Sequence, residues 1–213
     1  MQTLIEKTNR FLAIPLDLRS RGLLVAAAIL LVAIYFFPLW NLTMFAPQYP
    51  DGLRMDIYSY TLKGGNNGQD VKEINLLNHY IGMKDLATED FGEFKWMPFV
   101  IGGLGLLFLR AAFQGIVSQL IDVIVLYCYF AAFSLWSLAY KLYTYGHNLS
   151  PQAAVKIPPF MPPIFGFKQL ANFEVYSYPS LASYALALVV PVLLLALWLA
   201  WRGGRETRSP VHA

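Results

Sequence analysis

Outside or at the edges of its apolar runs the sequence carries two histidines, His79 and His147, and five methionines beyond the initiator: Met44, Met55, Met83, Met97 and Met161. These side chains are the ones suited to soft-metal chemistry, because imidazole and thioether favour Cu(I) and require no cysteine. His79 and Met83 stand four residues apart in Asn78-His79-Tyr80-Ile81-Gly82-Met83. One helical turn would place them on a common face, with Gly82 as the point where the backbone can turn instead. One imidazole and one thioether leave a metal unsaturated, so the candidate copper site is His79 and Met83 completed by His147, Met97 or Met161. The competing reading is that the methionines fill gaps in packing and that Asn78 and Tyr80 make the segment a hydrogen-bonded structural turn.

Other chemistry is sparse. A single cysteine, Cys128, excludes a disulfide framework, a CxxCH haem attachment and a thiolate cluster. There is no Gly-rich phosphate loop, HExxH or GxSxG, and the third histidine, His212, lies in the tail, so hydrolase, kinase, zinc-enzyme and bis-histidine haem readings fall and no enzymatic activity is expected. Asp122 is the one clear charge inside an apolar run; its expected role is a pair with Arg110, since one carboxylate near a span end makes a poor relay. Asp85, Glu89 and Glu93 recur every four residues and predict the solvated face of a short helix. A net charge of +3 gives no footprint for nucleic acid.

The elements that position these residues follow from composition. The 213 residues are 57% hydrophobic and 14% charged, with a mean hydropathy of +0.47. That leaves too little polar surface for a water-soluble domain, so the bilayer is the expected solvent. Residues 22–40 are an uncharged run of 19, and a helix rising about 1.5 Å per residue covers roughly the 30 Å hydrocarbon core. The run is longer than a signal-peptide core and lacks a small-residue cleavage site, so it reads as a retained anchor. Further spans are expected at 96–113, with clustered Gly102, Gly103 and Gly105; at 114–140; and at 181–201, kinked at Pro191.

Seven of the eight arginines, all but Arg54, fall on one side of this arrangement, which nets +5, whereas the opposite side nets −1. Segments 1–21 and 202–213 are therefore expected in the cytoplasm, and loops 41–95 and 141–180 outside a bacterial inner membrane. Within the first loop, 53–57 alternates apolar and polar residues, 64–68 is a strong turn signal, and 71–77 follows as a second strand-like run; together they predict a β-hairpin. The second loop holds six of the thirteen prolines, so it cannot be one long helix, and it is too apolar for a free linker. The fold expectation is a mainly α, four-helix transmembrane protein with two long external loops forming a small cap that includes a β-hairpin.

The words Ala46-Pro47-Gln48-Tyr49-Pro50-Asp51-Gly52-Leu53, Ile74-Asn75-Leu76-Leu77 running into the Asn78–Met83 segment, and Ala171-Asn172-Phe173 with Tyr178-Pro179 carry a resemblance. The chain resembles a family of small bacterial integral-membrane proteins, without an established activity, often encoded beside nitrous oxide reductase maturation genes: a copper chaperone lipoprotein and an ABC transporter with its periplasmic repeat protein. The resemblance covers most of the loops and implies a setting of periplasmic copper-site assembly. Its implied role is an accessory factor for copper handling or cuproenzyme maturation, with copper as possible cofactor and membrane or periplasmic proteins of a maturation or respiratory assembly as partners. The alternative is a structural subunit that docks an ABC permease or respiratory complex and holds no ligand.

Overall fold

The computed structural model describes residues 2–206. Six helices and five strands are present among them: α1 (Gln2–Leu12), α2 (Leu18–Val32), β1 (Trp40–Ala46), β2 (Tyr49–Ile57), β3 (Leu62–Gly64), α3 (Gln69–Tyr80), α4 (Glu93–Gln114), α5 (Val117–His147), β4 (Gly166–Leu170), β5 (Phe173–Pro179) and α6 (Leu181–Glu206). Four stretches are long and apolar enough to cross a membrane: Leu18–Tyr35, Glu93–Gln114, Val117–His147 and Leu181–Gly203. The chain divides into two compact units, one formed by 1–33, 99–131 and 185–213, the other by 34–98 and 132–184.

The first unit is helical. Asp17 caps α2 by accepting from the Ser20 amide at 2.9 Å, so the helix begins at Leu18, inside the segment expected to precede the span. Its buried stripe is Ser20, Leu24, Ala27, Ala28 and Leu31, and that of α6 includes Ala185, Val189, Leu193, Ala196 and Ala200. Alanines at these positions let helix backbones approach, and Ser20 Oγ donates to the Ala196 carbonyl at 3.0 Å. Tyr127, buried against Phe108 on α4, donates its hydroxyl to the Leu186 carbonyl at 2.8 Å, next to the carbonyl that Pro191 leaves without an intrahelical donor. The outward faces are apolar, with Leu106 70% and Phe113 87% exposed, a distribution that suits lipid and not water. The expected Asp122–Arg110 pair is not formed: both side chains are exposed, and the ion pairs among the described residues are Arg54–Asp56, Lys84–Asp90 and Lys141–Glu93. α6 continues through Glu206, beyond the end expected at 201, and 207–213, which include His212, lie outside the described residues.

The second unit is built on a five-stranded antiparallel sheet in the order β3-β2-β1-β5-β4. The expected hairpin is replaced by a different one. β2 contains 53–57 but pairs with β1 across the Pro47-Gln48 turn, while 71–77 belongs to α3. In that run Ile74, Leu77 and Ile81 recur at three- and four-residue spacing and are buried, a helical period, and the 64–68 turn leads into the helix. The two long inter-span segments share this sheet, because β1 pairs with β5 in register from Trp40↔Pro179 to Phe45↔Glu174. Their common core joins Leu42, Met44, Leu53 and Met55 from the first hairpin to Ile74, Leu77, Ile81 and Met83, and to Leu170, Phe173 and Val175 from the second.

The boundary expected at Tyr140 also moves. α5 has 31 residues and runs past Gly146 to His147, which carries Tyr145 into the core of this unit. The expected short acidic helix is absent among the described residues. Asp85 lies in irregular chain, Glu89 in a 3-10 turn (Thr88–Asp90), and Glu93 opens α4, where its Oε1 accepts from Ser137 Oγ at 2.6 Å and its Oε2 lies 3.7 Å from Lys141 Nζ.

Candidate functional site

The Asn78–Met83 segment is the end of a helix. Gly82 adopts φ +78°, and the Gly82 and Met83 amides donate to the His79 and Asn78 carbonyls at 3.1 and 2.8 Å, the pattern by which a left-handed residue terminates a helix. His79 and Met83 consequently do not share one helical face: His79 is exposed at the last turn of α3, whereas Met83 is buried in the apolar core. Asn75, one turn earlier, fastens the following chain through both its side-chain atoms, accepting from the Leu86 amide at 2.8 Å and donating to the Leu86 carbonyl at 3.3 Å. The second segment ties onto the same turn. The Ser150 amide donates to the Gly82 carbonyl at 2.8 Å, and the Val155 amide to the Tyr80 carbonyl at 3.0 Å.

The other candidate ligands are dispersed. His147 ends α5, stacks on Tyr143 with ring centroids 3.8 Å apart, and holds Nδ1 2.9 Å from the Tyr143 carbonyl of its own helix. Met97 is half-buried on α4, and Met161 is half-buried in irregular chain, where its carbonyl accepts from Lys168 Nζ at 2.9 Å. Met44, Met55 and Met83 are buried in one core, and all five of these methionines belong to the strand-bearing unit. Among the described residues, no three His, Cys, Asp or Glu side chains are gathered as a metal site.

Two groups that the sequence reading did not single out hold the unit together. Asp70 is a buried carboxylate in the first turn of α3; Oδ2 accepts from the Arg54 amide at 2.9 Å and Oδ1 from Asn66 Nδ2 at 2.7 Å. Asn66 and Asn67 make this reach with φ of +48° and +56°. The signal was present as Asn-Asn-Gly before a carboxylate, a turn chemistry that serves a helix start as well as a hairpin. Tyr49 donates its hydroxyl to Glu73, linking β2 to α3. The Tyr49 hydroxyl and the Gln69 amide hold the Glu73 carboxyl below its ordinary range, so this link is complete above that range and is lost as pH falls through the lowered value.

Asn78 is the unexplained member of the segment. It is fully buried, yet neither side-chain atom has a hydrogen-bond partner among the described residues. An unpaired buried polar group costs about 1–3 kcal/mol, so Asn78→Val, apolar and with one heavy atom fewer, is expected to leave stability unchanged or raise it by about that amount. Thermal denaturation in detergent reads this out. A fall in the midpoint would show that the amide holds a partner.

No family model, curated protein or solved structure matches the chain.

Proposed function

We propose that this chain is a non-enzymatic, multi-pass membrane accessory factor that presents the strand-bearing unit outside a bacterial inner membrane to a protein partner. The observation that carries this reading is the β1–β5 pairing, which makes one folded body from two segments that flank different spans. Such a body offers a shaped surface. The chemistry-bearing residues of the Asn78–Met83 segment support it further, because their backbone closes a helix and anchors residues 150 and 155. The partner we propose is a protein of cuproenzyme maturation, in line with the resemblance, or else an ABC permease or a respiratory complex. A photo-crosslinker at Arg54 or Lys63, on the charged half of the sheet, should yield one discrete adduct in native membranes. No adduct at either position overturns the docking reading.

A second reading has its own support. All five non-initiator methionines and both His79 and His147 belong to the strand-bearing unit, and Met97, Met161 and His147 are only half-buried while His79 is exposed. These four can reach Cu(I) without opening the core, whereas Met83 can reach it only if the turn at Gly82 loosens. Metal analysis after Cu(I) loading, with His79→Ala as the comparison, separates the two. Stoichiometric copper that is lost in the variant would establish copper handling, and equal background copper in both would leave docking as the function.

A further inference from the structure

One face of the sheet packs on the core, and its other face is divided. On β1, β2 and β3 it carries Asn41, Thr43, Arg54, Asp56 and Lys63, joined by the Arg54–Asp56 pair at 3.3 Å and by Asn41 Nδ2 donating to Asp56 Oδ1 at 2.8 Å. Toward β5 and β4 it becomes aromatic. Tyr176 meets Phe45 at 5.6 Å and Phe167 at 5.1 Å between ring centroids, and Phe165 meets Tyr178 at 5.3 Å. Cross-strand aromatic pairs steady a sheet, but here they leave Phe165 67%, Phe167 54% and Tyr178 42% exposed.

The aromatic strip begins where the chain leaves two of the apolar helices. The Ser180 amide donates to the Leu39 carbonyl at 2.8 Å and the Ala182 amide to the Pro38 carbonyl at 3.1 Å, which extends the β1–β5 pairing to the first turn of α6. Tyr178 lies two residues before Ser180 at this junction, and the exposed Phe36 and Phe37 lie just before Pro38. The strip is thus continuous with span ends. Its only charged member, Glu174, accepts from the Tyr176 hydroxyl at 3.1 Å. Rings with an apolar body, some with a polar tip, are the side chains that settle at the headgroup level of a bilayer, whereas Arg54, Asp56 and Lys63 require water.

We infer that the β4–β5 side of the sheet lies in the lipid headgroup layer, with Phe165, Phe167 and Tyr178 in contact with lipid and the β2–β3 side in water. This rests on the reading of the apolar helices as membrane spans, which the experiment tests separately. Nitroxide spin labels are placed at Phe165→Cys and Phe167→Cys in a Cys128→Ser full-length background, reconstituted in phosphatidylethanolamine–phosphatidylglycerol vesicles. Leu106→Cys serves as the span control and Lys63→Cys as the water control. Collisions with oxygen are compared with collisions with a water-soluble nickel chelate. Labels at 165 and 167 should favour oxygen several-fold more than the label at 63, with Leu106 favouring it most. Equal nickel access at 63, 165 and 167, with Leu106 still in lipid, overturns the inference and leaves the spans standing. Low access to both reagents at 165 and 167 also overturns it, because protein then covers the strip. Nickel access at Leu106 removes the span reading and this inference with it.

Discussion

Asp70→Ala should lower the stability of the strand-bearing unit by about 3–5 kcal/mol, the loss of two hydrogen bonds to one buried carboxylate. The carboxylate accepts from the Arg54 amide and from Asn66 Nδ2, and Asp70 is 3% exposed. Hydrogen bonds to a charged group contribute about 1.5–3 kcal/mol each, and the truncation leaves both donors without their acceptor. The loss is larger than any one apolar contact because Asp70 joins β2, the 64–68 turn and α3 at one point. Asp70→Asn keeps the shape and one acceptor, and should fall between the variant and the native chain. Chemical denaturation in detergent, followed by near-ultraviolet circular dichroism, measures it. A loss under about 1 kcal/mol for Asp70→Ala, the scale of a minor surface change, would show that the turn is held by other means.

Gly146→Ala should destabilise although it lies in a helix. By propensity alone the exchange gains up to about 1 kcal/mol. Packing opposes it: an added Cβ would overlap the Phe160 carbonyl, a backbone atom that cannot swing aside, and Pro162 Cδ at 2.8 Å. The Phe160 amide donates to the Gly146 carbonyl at 3.0 Å, so residues near 160 must move away from α5 and lose that bond. Overpacking of about 1–3 kcal/mol plus a lost hydrogen bond of about 1 kcal/mol outweighs the helical gain. Faster proteolysis within 148–165 should accompany the lower midpoint. Unchanged stability and cutting would mean that this segment is not held on α5.

The apolar helices were legible in the sequence because the signal is local: an uncharged run of sufficient length needs no partner to be recognised. Their ends were less so. α5 passes Tyr140 because Tyr145 is drawn into a core assembled from distant segments, and nothing within 141–147 announces that core. β2 was legible from its alternation, while β1 was hidden beside the exit of the first span and β5 behind the prolines of the second loop. Those strands exist through pairing with each other, a relation between positions more than 130 residues apart, as Trp40↔Pro179 illustrates. The four-residue spacing of His79 and Met83 suggested a shared face only while the helix continued; Gly82 ends it, and the sequence already placed that glycine between them. The Asn66-Asn67-Gly68 turn before Asp70 was the one local sign of its role, since burial of a carboxylate follows from tertiary packing.

The proposed function requires the strand-bearing unit to lie across a four-times-crossed membrane from residues 1–21 and 202–213. Single cysteines at Asn67, exposed in the turn before α3, and at Ser209 in the tail test it directly in a Cys128→Ser background. With a membrane-impermeant maleimide on intact spheroplasts, Asn67→Cys should be labelled, and Ser209→Cys only after permeabilisation. Protection at 67 with labelling at 209, or labelling of both in sealed cells, would contradict the account.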